Sequence, residues 1–147
     1  MRGPMRAGGA AQASAKRPQP RRGGRRVAVV DDDRSVRTAL CRLLEALGFA
    51  VDSYDSGESF LAGLSGPAPH CLVLDLQMPG MTGIDLQHRL TALGVAVPVV
   101  VISGQDGAAL HARCRAAGAA ACLTKPLDAG ALLRAIERAI EGRPSRG

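Results

Sequence analysis

Short apolar runs alternate with amphipathic stretches along the chain. Five mostly aliphatic runs have the length of strands that are buried on both faces of a sheet. They predict strands at 27–30, 49–54, 71–75, 97–103 and 119–124. After the first run, apolar residues recur with helical spacing at positions 36, 39, 40, 43, 44 and 47, which predicts a helix that Asp33 or Ser35 caps and Gly48 ends. Further helices are predicted at 56–64, 84–93, 106–117 and 129–140.

The alternation of strands and helices with short connections is typical of right-handed β–α–β units. We therefore predict an α/β fold of the flavodoxin-like type: a doubly wound, five-stranded parallel sheet in the order 2-1-3-4-5, with five helices covering both faces. The ligand crevice of such a sheet lies at the carboxyl ends of strands 1 and 3. The helix at 106–117 is rich in alanine and has no clear apolar stripe, so we expect it to be the least firmly packed.

Charge divides the chain into a basic tail and a domain that is close to neutral. The 147 residues carry a net charge of +6, but residues 1–26 hold eight Lys or Arg and no acid, so 11 basic and 13 acidic groups remain. We predict a disordered basic tail over 1–26, one domain over 27–142 and a short C-terminal tail over 143–147. A solvated extension, or an over-extended start, is favoured over an arm for nucleic acid or an acidic partner, because the tail has no aromatic residue to stack on bases.

Cysteine usage and hydropathy predict where the protein works. The cysteines at 41, 71, 114 and 122 form neither a C-x-x-C pair nor a cluster with histidine. Three of them lie among apolar residues, which indicates small buried thiols in a reducing compartment. No apolar run approaches the roughly 18 residues of a membrane span, and the basic start lacks the apolar region of a signal peptide. We expect a cytoplasmic protein that does not insert into a membrane.

Polar side chains end four of the five predicted strands. Asp31 and Asp32 follow the first strand, Asp75 ends the third, Ser103 ends the fourth and Lys125 follows the fifth. These ends share one edge of a parallel sheet, where two unit charges about 4 Å apart repel by about 4 kcal/mol at an effective dielectric near 20. One lysine cannot balance three acids. A divalent cation could, and oxygen ligands favour Mg²⁺.

Four motifs, in chain order, resemble the signature of response-regulator receiver domains. Their sequences are Val30-Asp31-Asp32-Asp33, Leu74-Asp75-Leu76-Gln77-Met78-Pro79-Gly80-Met81-Thr82-Gly83, Val101-Ile102-Ser103-Gly104 and Thr124-Lys125-Pro126. The first two are most similar to the FixJ-type subgroup, and Pro79-Gly80 suits the centre of a type II turn. The resemblance covers about residues 26–142.

The resemblance implies a phosphorelay role. Asp75 would accept a phosphoryl group from the phosphohistidine of a histidine kinase or a histidine phosphotransfer protein. Ser103 would hydrogen-bond a phosphoryl oxygen, Lys125 would form an ion pair with it, and the Lys125–Pro126 peptide bond would be cis. Mg²⁺ would be held by Asp32, Asp75 and the main-chain carbonyl of Gln77, with Asp31 acting directly or through water.

One position departs from the family pattern. An aromatic residue commonly stands three residues before the strand-5 lysine and swings inward with the hydroxyl residue, but this chain has Cys122 there. Either the switch works through Ser103 and its loop alone, or coupling to the output surface is weak.

The leading functional prediction is a single-domain receiver that signals by binding another, unidentified protein, or passes phosphate between kinases. It would be no enzyme beyond its own phosphorylation and dephosphorylation, and it would carry no DNA-binding domain. The alternatives are a receiver fragment or split partner of a FixJ-type transcriptional regulator, and a receiver that only binds. An Asp-x-Asp phosphatase is disfavoured, because Asp75-Leu76-Gln77 lacks the second aspartate.

Overall fold

The computed structural model describes residues 24–76, 78, 80–104 and 108–142. Five strands and five helices alternate along these residues. In chain order they are β1 (Arg26–Val30), α1 (Arg34–Ala46), β2 (Ala50–Tyr54), α2 (Gly57–Ala62), β3 (Cys71–Asp75), α3 (Gly83–Ala92), β4 (Val99–Ser103), α4 (Ala108–Ala116), β5 (Ala121–Thr124) and α5 (Ala129–Ile140).

The strands form one parallel sheet in the order β2-β1-β3-β4-β5, which confirms the predicted topology. Every neighbouring pair is parallel. Val30 of β1 lies opposite Leu74 of β3, and Ser103 of β4 lies opposite Thr124 of β5. The polar residues that end or follow β1, β3, β4 and β5 therefore share one edge of the sheet.

Alternate residues of the sheet feed two apolar clusters, one on each face. Val27 and Val29 point toward α1 and α5, into a cluster that includes Leu44 and Ile136. The intervening residues of β1 point to the opposite face, where they meet side chains of α2, α3 and α4. The core is almost wholly aliphatic; its one aromatic pair, among the described residues, is the edge-to-face contact of Tyr54 and Phe60, with ring centroids 5.3 Å apart. The sheet is covered on both sides, as predicted.

Side-chain hydrogen bonds fix where α1 and β1 begin. Of the two predicted caps of α1, Asp33 is the one used: its Oδ1 accepts hydrogen bonds from the backbone N–H groups of Ser35 (2.9 Å) and Val36 (3.1 Å). The sheet begins at Arg26, one residue before the predicted domain boundary: its carbonyl accepts from the His70 N–H at 2.9 Å, and its own N–H donates to His70 Nδ1 at 3.0 Å. The rest of the predicted tail, through residue 23, and residues 143–147 lie outside the described residues.

Helix α4 ends at Ala116, one residue before the predicted end, and the predicted start at 106–107 lies outside the described residues. Among the α4 side chains whose burial is described, Cys114 alone is buried. The exposure of these described side chains agrees with the missing apolar stripe of α4. None of the described helices combines the length and the apolar character that crossing a membrane requires.

Candidate functional site

The carboxyl edge of the sheet gathers an acidic cluster. Carboxylate oxygens of Asp31, Asp32 and Asp75 lie within 4.8 Å of one another, so the expectation that they meet is confirmed. Asp31 is only 1% exposed and Asp75 only 8%, whereas Asp32 faces solvent. Two of the three acids are thus held where water cannot freely stabilise their charge.

Within the acidic cluster, the pKa of Asp31 is clearly shifted. Burial raises the pKa of its carboxyl group above the ordinary value, and the charges of Asp75 and Asp32 raise it further. The backbone N–H of Asp33, which donates to Asp31 Oδ1 at 2.9 Å, and the charge of Lys125 lower that pKa but do not reverse the shift. The folded protein therefore disfavours a full set of negative charges at this edge.

The ligand chemistry of the cluster suits a hard cation. Its three carboxylates supply oxygen atoms, the type of ligand that Mg²⁺, Ca²⁺ and Mn²⁺ prefer. Burial is the main reason that the pKa of Asp31 is raised, and repulsion from Asp75 and Asp32 adds to the shift; a cation would relieve that repulsion. The cluster could therefore bind a metal ion. Gln77, the remaining predicted ligand, lies outside the described residues.

A hydroxyl and an ammonium group border the acids. Ser103 ends β4 and is 1% exposed. The backbone N–H of Lys125 donates to the Ser103 carbonyl at 2.8 Å, which ties the residue after β5 to the end of β4. The Lys125–Pro126 peptide bond is cis, as the resemblance implies. Gly104 is exposed, and a Cβ built on it would meet no atom within 4 Å.

The start of α3 packs closely against the end of β3, where Asp75 lies. Gly80 has a φ of +75°, as the second central residue of a type II turn requires. A Cβ on Gly83 would lie 3.0 Å from the Cα of Leu76 and 3.1 Å from the carbonyl oxygen of Asp75. A larger residue here would have to push α3 and the end of β3 apart by a few tenths of an ångström.

Sequence reasoning missed this use of Gly83 and began α3 at Ile84. The helix begins at Gly83, and Thr82 is its N-cap. Thr82 Oγ1 accepts a hydrogen bond from the backbone N–H of Asp85 at 3.2 Å, and Asp85 Oδ2 accepts one from the backbone N–H of Thr82 at 3.1 Å. The signal was present in the sequence, because a threonine followed three residues later by an acid is the capping-box pattern.

Cys122, the departure from the aromatic pattern, is half-buried on β5. Burial, followed by the neighbouring Cys114 thiol, raises the pKa of the Cys122 thiol to about 12. The side chain is therefore a neutral thiol packed between β5 and α4, and it projects no ring across the sheet edge.

Comparison with known proteins gives one consistent result. A family model described as the response regulator receiver domain matches residues 27–137. The response regulator protein TodT of Pseudomonas putida is 36% identical over 118 residues, which cover 80% of this chain and 52% of TodT. The transcriptional regulatory protein FixJ of Rhizobium meliloti is 37% identical over 115 residues, which cover 78% of this chain and 56% of FixJ. This chain thus spans about half the length of these relatives.

The fold agrees with a solved structure. The crystal structure of FixJ-N matches with a TM-score of 0.75 and 37% sequence identity, covering 80% of this chain and 94% of that one. The FixJ-type resemblance of the motifs is confirmed by these matches.

Proposed function

This chain belongs to the response regulator receiver family, and we propose that it is phosphorylated on Asp75 in two-component signalling. The observation that carries the proposal is the position of Asp75: a carboxylate 8% exposed at the end of β3, within 4.8 Å of two other acids. Ser103 and Lys125 stand at the neighbouring strand ends. We propose that an anionic group enters this crevice past Gly104, which is exposed.

The transfer step follows from these residues. A carboxylate oxygen of Asp75 attacks the phosphorus of a phosphohistidine, the phosphorus–nitrogen bond breaks, and the imidazole leaves. Phosphoryl transfer depends on positioning and on neutralising spread negative charge. The Ser103 hydroxyl donates a hydrogen bond to a phosphoryl oxygen, and the Lys125 ammonium forms an ion pair with another.

We propose that Mg²⁺ is held by Asp32, Asp75 and the carbonyl of Gln77, with Asp31 binding directly or through water. When bound, the ion would neutralise charge between the acceptor carboxylate and the phosphoryl oxygens. The geometry supports this assignment: Asp31 and Asp75 are buried, and the three carboxylates lie within 4.8 Å of one another, so a cation would offset charge that water cannot freely stabilise.

The proposed partner on the input side is a histidine kinase or a histidine phosphotransfer protein. On the output side the domain, placed at 27–142, would act by binding another protein, which the sequence does not identify, and would perform no other reaction. A cytoplasmic location remains a prediction.

A second candidate is the receiver part of a FixJ-type transcriptional regulator. It is favoured by one observation, that this chain matches only 52–56% of the length of its TodT and FixJ relatives. DNA binding would then belong to a part outside the domain at 27–142.

The test is incubation of the full chain with acetyl phosphate and Mg²⁺, read by intact mass. We expect one added phosphoryl group, which a chelator and Asp75→Asn both abolish. Asp128→Asn is the matched control, because Asp128 is an exposed cap of α5 and asparagine caps equally well. Incorporation that persists in Asp75→Asn would place the acceptor elsewhere.

A further inference from the structure

Few of the described side chains of α4 are buried against the sheet. Where the burial of its side chains is described, Cys114 is buried, His111 is half-buried and the others face solvent. Because few of the described side chains are buried, polar contacts contribute more to the position of the helix. Two of the polar contacts between α4 and β5 involve His111.

Two side chains of β5 reach the same residue of α4. The Thr124 hydroxyl lies 3.3 Å from His111 Nε2, and the Cys122 thiol donates to the His111 backbone carbonyl at 3.9 Å. The first contact survives in either imidazole tautomer, because a hydroxyl can donate or accept. We call these three residues (His111, Cys122 and Thr124) the α4–β5 link.

The α4–β5 link adjoins the proposed phosphorylation site through the backbone. Thr124 lies opposite Ser103 in the register of β4 and β5. The next residue, Lys125, donates its backbone N–H to the Ser103 carbonyl at 2.8 Å. We therefore expect a backbone displacement of Ser103 or Lys125 toward a new anionic group to move Thr124 as well.

We propose that His111 is a positioning residue that couples the site to α4 through the α4–β5 link. In the arrangement seen here, Thr124 and Cys122 hold His111 and thereby α4. Phosphorylation shifts Ser103 and Lys125, breaks the contact between Thr124 and His111, and so weakens the packing of α4 against the sheet. This inference rests on the proposed function. It assigns to the His111 side chain, which reaches from α4 to β5, the coupling role that an aromatic residue at position 122 would otherwise have.

The test is amide hydrogen exchange of α4 in the full chain, with phosphoryl incorporation measured by intact mass on the same samples. Thr124→Val removes the hydroxyl and keeps the shape, whereas Thr124→Ser keeps the hydroxyl. Thr91→Val is the matched control, because the Thr91 hydroxyl donates to the Gln87 carbonyl at 3.1 Å within α3. His111→Ala removes the same contact from the other side if the valine variant does not fold.

Without phosphate, we expect α4 to exchange about two- to tenfold faster in Thr124→Val, the effect of losing one hydrogen bond of ordinary net strength. Thr124→Ser and Thr91→Val should match the wild type in α4. With acetyl phosphate and Mg²⁺, exchange of α4 should accelerate in the wild type and change much less in Thr124→Val, although both incorporate phosphate.

The outcomes separate the two proposals. Normal incorporation with the same acceleration of α4 in Thr124→Val as in the wild type overturns the coupling role of His111 alone. Equal α4 exchange of the two unphosphorylated proteins also overturns it, because the contact then does not hold the helix. If the wild type incorporates no phosphate, the proposed function fails and the coupling fails with it.

Discussion

The substitution Asp31→Asn should stabilise the protein in the absence of divalent cations. Asparagine has nearly the same shape, and its side-chain oxygen can still accept the N–H of Asp33 that Asp31 Oδ1 accepts at 2.9 Å. The change therefore removes a charge while it preserves the local hydrogen bond. Loss of a buried acid that touches a functional site would ordinarily be expected to destabilise, so the sign of the effect is informative.

The distances in the cluster set the magnitude. Two unit charges 4.8 Å apart repel by about 3.5 kcal/mol at an effective dielectric near 20, and Asp31 faces two such charges. Exposure of Asp32 and the opposing charge of Lys125 reduce the total. We expect a net gain of about 1–3 kcal/mol in the free energy of unfolding, because screening at exposed groups is strong. This corresponds to a rise in Tm of about 3–10 °C for a domain of this size.

The effect should depend on pH with a defined sign. The folded-state pKa of Asp31 is raised above the ordinary value of 3.8, so the folded protein binds more protons than the unfolded chain between these two values. Protonation of Asp31 therefore stabilises the folded protein below pH 3.8, and this stabilisation is lost as the pH rises through the folded-state pKa of Asp31. The difference between Asp31→Asn and the wild type should therefore be largest at neutral pH and vanish below pH 3.8.

The assay is thermal unfolding by circular dichroism with a chelator present, repeated with millimolar Mg²⁺. Ion binding to the folded state stabilises the wild type by mass action, so Mg²⁺ should narrow or reverse the gap between the two proteins. Asp128→Asn serves as the control for net charge. A variant that is less stable than the wild type at neutral pH with the chelator would refute the electrostatic reasoning.

Three further perturbations test separate contacts. Gly83→Ala should lower the free energy of unfolding in urea by about 1–3 kcal/mol, because the new Cβ would lie 3.0 Å from the Cα of Leu76. Gly66→Ala is the control and should have little effect, because its Cβ would meet no atom within 4 Å. Equal losses in the two variants would contradict the close approach at Gly83. Thr82→Ala should cost about 1 kcal/mol in the same experiment, since α3 loses its N-cap, whereas an unchanged midpoint would show that the capping box is not needed. Burial raises the pKa of the Cys71 thiol to about 12, so peptide mapping after alkylation of the folded protein should find it unmodified, and rapid labelling would contradict that burial.

The elements that the sequence predicted well are those in which one short segment contains the whole signal. Strand β3 was predicted to the residue, because an uninterrupted apolar run ends at the charged Asp75. The meeting of three acids followed from topology, since all carboxyl ends of a parallel sheet share an edge. Neither inference needed the position of any distant side chain.

Features that depend on contacts between distant segments were harder to predict. The spacing on α5 predicts a buried face made of four aliphatic residues: Leu132, Leu133, Ile136 and Ile140. Leu132 and Ile136 are buried, but Leu133 and Ile140 are only half-buried, and Ala139 is buried as well. The 3.6-residue period fixes the centre of a helix face, while its edges depend on the neighbouring strands. The contact of His111 with Thr124 spans 13 residues and two elements, and no local pattern announces it.

The central claim is that the acidic edge of the sheet is built to hold a divalent cation. Calorimetric titration of the full chain with Mg²⁺ tests it most directly, with Asp32→Asn and Asp128→Asn measured beside the wild type. We predict saturable binding of one ion to the wild type and to Asp128→Asn, and affinity at least about tenfold weaker in Asp32→Asn, since one charged oxygen ligand is lost. Absence of binding to the wild type, or equal affinity in Asp32→Asn, would contradict the claim.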